Sequence, residues 1–143
     1  MALKRLDNVG IVVEDLEATI EFFRELGLEF EGRAMVEGEW AGRVTGLGDQ
    51  RVEIAMMRTP DGHGRLELSR FLAPSVVADH RNAPVNALGD LRVMFTVEDI
   101  DDVPPPTEPL FTSSLGLRFE LRALARDGSG PRPCPLGARC CAG

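Results

Sequence analysis

The sequence has no tyrosine, one tryptophan (Trp40) and only two histidines, His63 and His80. So few imidazoles leave little for histidine chemistry, and neither fits a His-x-x-x-His or two-His-one-carboxylate pattern. Both fall in turn-like or linker-like sequence, where surface placement is expected. The three cysteines, Cys134, Cys140 and Cys141, sit close to the end of the chain. Their odd number argues against a disulfide framework, and their spacing is not that of a zinc site. No apolar run approaches the ~20 residues of a membrane span. The opening Met1-Ala2-Leu3-Lys4-Arg5-Leu6-Asp7 has no apolar signal core, so no membrane association, no export and a cytoplasmic location are expected. Positive charge is short as well: 16 Lys and Arg stand against 23 Asp and Glu, a net −7. A phosphate backbone would be repelled, so nucleic acid is not an expected partner. Phosphate-binding glycine motifs are missing, because Gly42, Gly46 and Gly48 lack the spacing and a following helix. No Gly-x-Ser-x-Gly or nucleophilic Cys–His context is present.

Periodic structure is present. Asn8-Val9-Gly10-Ile11-Val12-Val13 is β-branched-rich and reads as a strand. Leu16, Ile20, Phe23 and Leu26 then recur at helical spacing. Glu14, Asp15 and Glu17 suit the positive end of the helix dipole. Asp15 is the expected N-cap and Gly27 the residue just past the end. Leu28-Glu29-Phe30-Glu31 is a short alternating segment, followed by a glycine-rich stretch, 32–48, read as a loop carrying Trp40. Arg51 to Met57 and Arg65 to Phe71 read as a hairpin around the turn Pro60-Asp61-Gly62-His63-Gly64. Residues 72–90 read as a linker.

The opening pattern then returns 84 residues later. Arg92-Val93-Met94-Phe95-Thr96-Val97-Glu98-Asp99-Ile100-Asp101 aligns with Asn8 to Glu17, with identities at Val9/Val93, Val13/Val97, Glu14/Glu98 and Asp15/Asp99. A strand running straight into an acidic helix start occurs in both, which points to internal duplication. After Asp102 the pattern breaks. Pro104-Pro105-Pro106 would stop a second helix. One further strand is expected where Leu117, Phe119, Leu121 and Ala123 alternate with Arg118, Glu120 and Arg122. The end of the chain, 127–143, rich in Gly, Pro, Cys and Arg and without a period, is expected to be partly disordered.

These segments, with Phe22-Phe23-Arg24-Glu25-Leu26-Gly27-Leu28 and Thr59-Pro60-Asp61-Gly62-His63-Gly64 before Leu66-Glu67-Leu68, resemble the vicinal oxygen chelate superfamily. That group includes glyoxalase I and the bleomycin-resistance proteins. The resemblance implies an α+β fold of paired βαβββ modules enclosing a small cavity. Module one would span 4–71, the linker 72–90 and the start of module two 91–102. The second module is incomplete or altered from there, with 103–143 an atypical tail. In many members a divalent metal in the cavity chelates two neighbouring substrate oxygens.

By resemblance, the metal-ligand positions fall on Asn8, Glu67 and Arg92. An amide is a weak zinc or nickel ligand, and a guanidinium is no ligand at all. Glu67, on a face shared with Arg65, Ser69 and Phe71, is the one ligand or general-base candidate. Otherwise it is a solvated carboxylate. Glu120 is the only carboxylate on a late strand, and it aligns poorly. The expected function is small-molecule binding without an intact metal site or cofactor. Arg92 would anchor an anionic group, Asn8 and Glu67 would supply polar contacts, and Trp40 and Met94 apolar surface. The alternatives are a metal-dependent lyase, isomerase or ring-cleaving dioxygenase, and an altered homologue without function. A homodimer is expected.

Overall fold

The computed structural model describes residues 3–77 and 92–98, with backbone alone at Arg92 and in the strand 118–123. The chain divides into two units, Met1–Ala78 and Asp79–Gly143. The first contains β1 (Val9–Val12), α1 (Leu16–Glu25), β2 (Glu29–Glu37), α2 (Glu39–Thr45), β3 (Arg51–Arg58) and β4 (Arg65–Ala73). The second contributes β5 (Arg92–Val97) and β6 (Arg118–Ala123).

Helix α1 forms where the periodicity places it, and its apolar stripe buries Leu16, Ile20 and Phe23 together with Thr19. Asp15 is extended and its carboxylate accepts from the Ala18 N–H at 3.0 Å, which satisfies one free donor of the first turn. At the other end Gly27 takes φ 94°, a conformation that costs other residues a Cβ clash. The Gly27 N–H then reaches the Arg24 carbonyl and the Leu28 N–H the Phe23 carbonyl, both at 2.9 Å. That pair of bonds is a Schellman stop.

The four strands of the first unit lie in the order β1-β4-β3-β2. β1 runs parallel to β4, with Val9 beside Leu66 and Ile11 beside Leu68. β3 pairs antiparallel with both β4 and β2. Because side chains alternate along a strand, the register sorts them into two faces. Ile11, Ala55, Met57, Leu66 and Leu68 are buried and share the face that α1 covers. Asn8, Gly10, Val12, Ile54, Met56, Glu67 and Ser69 share the other.

Two features of the first unit differ from the sequence expectation. β2 is nine residues long rather than a short segment ending at Glu31. It is an edge strand with a register shift between Phe30 and Gly32, and most of its positions are exposed, so no clean alternation marks it. The stretch read as a glycine-rich loop contains α2, and Trp40 stands on that helix. α2 buries only Ala41 and has a glycine at its centre, so neither periodicity nor propensity announces it. The expected linker also starts two residues late, because β4 runs to Ala73.

In the second unit β5 and β6 pair in parallel, as β1 and β4 do. β6 lies where alternation predicts it. The expected linker beyond residue 77, a second helix, the proline block, His80 and the three cysteines lie outside the described residues. Among the described residues no helix is long and apolar enough to cross a membrane.

Candidate functional site

The sheet face turned away from α1 carries the polar cluster. Parallel pairing sets Gly10 beside Glu67, so Asn8, two residues earlier, shares the Glu67 face. The Asn8 Nδ2 donates to Glu67 Oε2 at 2.9 Å, and the Ser69 hydroxyl donates to Glu67 Oε1 at 3.3 Å. Asn8 and Glu67 are half-buried and Ser69 is buried. Each carboxylate oxygen thus accepts one hydrogen bond from a neutral donor. Among the described residues no cation pairs with Glu67.

Arg65, on the same strand face, is committed elsewhere. Its Nε donates to Glu31 Oε2 at 2.8 Å, and Arg58 links Glu31 to Glu29. The Arg65 hydrogen bond holds the Glu31 carboxyl below the usual carboxylate range against the opposing effect of desolvation, and the charges of Arg65 and Arg58 add to it. This ladder engages Arg58 and Arg65 with Glu29 and Glu31, and neither arginine pairs with Glu67.

The neighbours of Glu67 set what can approach it. Gly10 flanks it on β1, and a Cβ built there would meet nothing within 4 Å. Met56 flanks it on β3, and Ile54 lies beside Ser69; both are half-buried. The carboxylate therefore stands between an open glycine position and an apolar wall. From sequence Met56 is one of several methionines that could wall an apolar pocket, with core packing as the default, and Gly10 and Ile54 are not singled out. Only strand register brings these three beside Glu67.

Trp40 is not part of this cluster. α2 packs on β2, two strands away from β4, and neighbouring strands are separated by about 4.8 Å. Arg92 and Met94 lie on β5, with Met94 half-exposed. The β5–β6 register sets Met94 beside Glu120. Gly10 and Met94 are equivalent in the 84-residue repeat, so Glu120 holds the strand position in the second unit that Glu67 holds in the first. Sequence alignment missed this because the connection between the paired strands is shorter in the second unit. A constant 84-residue offset would carry the counterpart of Glu67 beyond residue 143. His63 is exposed, and its backbone N–H donates to Asp61 in the hairpin turn at 3.0 Å.

The donor set can be tested against a divalent metal. Glu67 and Asn8 offer one carboxylate and one amide oxygen. Among the described residues no group of three or more His, Cys, Asp or Glu side chains could hold an ion. Two oxygen donors fall short of the three protein ligands that a catalytic zinc or non-haem iron centre takes. The described residues by themselves do not fit such a metal.

A β-α-β-β-β unit closed by parallel pairing of its first and last strands, with a polar cluster on the face opposite the helix, defines a glyoxalase-like fold. The family model of the Glyoxalase/Bleomycin resistance protein/Dioxygenase superfamily matches residues 5–104, and the chain belongs to that superfamily. The crystal structure of a glyoxalase family protein from Bacillus cereus is similar, with 73% sequence identity and a TM-score of 0.69. The match covers 72% of this chain and 69% of that one. No curated protein matches.

Proposed function

We propose that this protein binds a small amphipathic molecule bearing one anionic group, and that the sheet face carrying Glu67 contributes to the binding surface. The observation behind this reading is the Asn8–Glu67–Ser69 cluster, a carboxylate held by two neutral donors, with no cation paired to it among the described residues and lipophilic Met56 and Ile54 alongside. A donor group on a ligand would be drawn to the carboxylate, and an apolar body would lie on the methionine and isoleucine. By the family resemblance, Arg92 of the second unit is the candidate for an anion contact, and Met94 of that unit is a candidate for apolar surface.

Calorimetric titration with a panel of small aryl and alkyl carboxylates and phosphates tests the proposal. A ligand found this way should lose about tenfold or more in affinity on Glu67→Ala and on Arg92→Ala, in line with loss of one charge-assisted contact each. Gly10→Leu, which fills the open position, should block binding while leaving the melting temperature near that of the parent. Affinity unchanged by all three substitutions would refute the assignment.

A second reading, a metal-dependent enzyme of the superfamily, has one observation in its favour: Glu120 occupies the strand position equivalent to Glu67. It predicts near-stoichiometric divalent metal in the purified protein, lost on Glu67→Ala. Elemental analysis showing no metal above background in both proteins, after growth in metal-supplemented medium, would count against it.

A further inference from the structure

A hollow of about 700 Å³ opens between the end of β2, helix α2 and the turn that leads into β3. That size lies in the range of small-molecule sites. Glu67 is not among its walls, so the ligand-binding reading does not use it. Charged side chains and glycines line it, with no aliphatic or aromatic side chain among them. An apolar body would gain little burial here.

Five of the lining residues are charged. Glu37 and Arg51 pair with each other at 3.3 Å. Glu39, Arg43 and Asp49 have no ion pair among the described residues. Glu39 and Arg43 stand at i, i+4, the spacing and order that ordinarily join such a pair on a helix. Unpaired charge of both signs therefore borders one space. Gln50 adds an independent observation. It is only 5% exposed, yet it lines the hollow. The Thr45 hydroxyl donates to its Oε1 at 2.5 Å and fixes the amide. Its Nε2 has no hydrogen-bond partner among the described residues and is not sealed inside the protein. In a residue so withdrawn from water, such a donor gains from an acceptor brought to it.

The walls narrow the occupant by charge. A free anion would meet Arg43 and the Gln50 amide, but also the carboxylates of Glu37, Glu39 and Asp49. A metal ion would meet the guanidiniums of Arg43 and Arg51, which are no ligands and repel it. A neutral polyol would offer the unpaired charges only neutral partners. A molecule carrying an ammonium and a carboxylate satisfies both signs with charge-assisted hydrogen bonds, which are the stronger kind. We propose that this hollow binds a small polar zwitterion of the amino-acid type. Its carboxylate takes the Arg43 guanidinium and Gln50 Nε2, and its ammonium takes Glu39 or Asp49. Gly48 keeps the space open, because a Cβ there would meet nothing within 4 Å. The charged groups are exposed, so solvent and salt screen them and the affinity is weak.

The experiment is a titration of the full chain, labelled with nitrogen-15, with glycine and with L-serine. It is followed by NMR at the Gln50 side-chain amide and the backbone amides of Gly46 and Gly48. Saturable shifts at these signals are expected, with dissociation constants in the millimolar range. N-acetylglycine keeps only the carboxylate and glycinamide only the ammonium, so each should bind about tenfold or more weakly than glycine. Arg43→Gln should weaken serine binding by about tenfold or more. Gly48→Leu, which fills the open position, should abolish it. Glu39→Gln combined with Asp49→Asn should weaken serine by a similar factor without weakening N-acetylglycine, because only the ammonium end is lost. Melting temperatures should stay near that of the parent, since all four positions are exposed. Glu67→Ala should leave serine binding at the parental level, which separates this site from the one proposed above. Absence of shifts at millimolar glycine and serine overturns the proposal. So does equal binding of glycine and either half-charged analogue, or tighter binding of inorganic phosphate, magnesium or glucose at the same signals. Serine affinity unchanged by Arg43→Gln and Gly48→Leu, or lost on Glu67→Ala, also overturns it.

Discussion

Glu31 shows how a single side chain couples this protein to pH. Its carboxyl is held low chiefly by the hydrogen bond from Arg65, and by the nearby charges of Arg65 and Arg58. A carboxyl with a folded-state pKa below its unfolded one contributes stability that is complete above the unfolded value, about 4.3 for glutamate. That contribution is lost as pH falls through the lower, folded value. Glu31→Gln should therefore lower the melting temperature slightly at pH 7. It should also flatten the fall in stability with acid below about pH 4.3. Melting curves from pH 7 to pH 3 check this, and parallel curves for parent and variant would argue against the assigned role. The residue scale is also where the sequence was only half readable. Asn8 and Glu67 were singled out through the family resemblance, which sets metal-ligand positions on them, and they do meet, at 2.9 Å. Gly10 and Met56, which flank the same carboxylate, carried no signal of their own. Their role comes from pairing across strands, and that register cannot be read from one strand's pattern.

At the scale of elements, α1 was legible and α2 was not, for physical reasons. α1 has a side-chain cap, a buried stripe and a glycine stop, each visible as a residue type in the right place. Removing the cap in Asp15→Ala should cost about 1 kcal/mol, measurable by urea unfolding; an unchanged midpoint would show the cap to be redundant. α2 has no side-chain cap bond and one buried residue. It is held by fit instead of propensity. A Cβ on Gly42 would come within 2.6 Å of the Leu47 carbonyl oxygen, a backbone atom that cannot swing aside. Gly42→Ala should destabilise by about 1–3 kcal/mol despite alanine's better helix propensity, because overpacking outweighs it. Gly10→Ala, into open space, should leave unfolding nearly unchanged. If the two alanine variants behave alike under urea, close approach at Gly42 is not what holds the helix. β2 was underread for a related reason. An edge strand with a register shift has no strict inside and outside, so its alternation fades.

For the whole molecule, the order and spacing of several segments, the duplicated strand-to-helix start among them, carried the resemblance to proteins built from paired βαβββ modules, and the family match over 5–104 agrees. The parallel pairing of the second unit was not legible, since β6 arrives after a connection unlike that between β1 and β4. Both units nevertheless join an early strand to a late one side by side. For the first unit this arrangement has a cost during synthesis. Val9 to Val12 emerge from the ribosome first, yet their hydrogen-bonding partners, Leu66 to Ser69, emerge nearly last. Until then the oldest segment is a bare strand, and closing so long a loop is slow compared with forming α1. Nascent chains stalled with residue 60 exposed should leave Val9–Val12 open to protease, and chains stalled well past residue 77 should protect it. Equal protection in both would mean that the amino-terminal strand finds shelter before its neighbour exists.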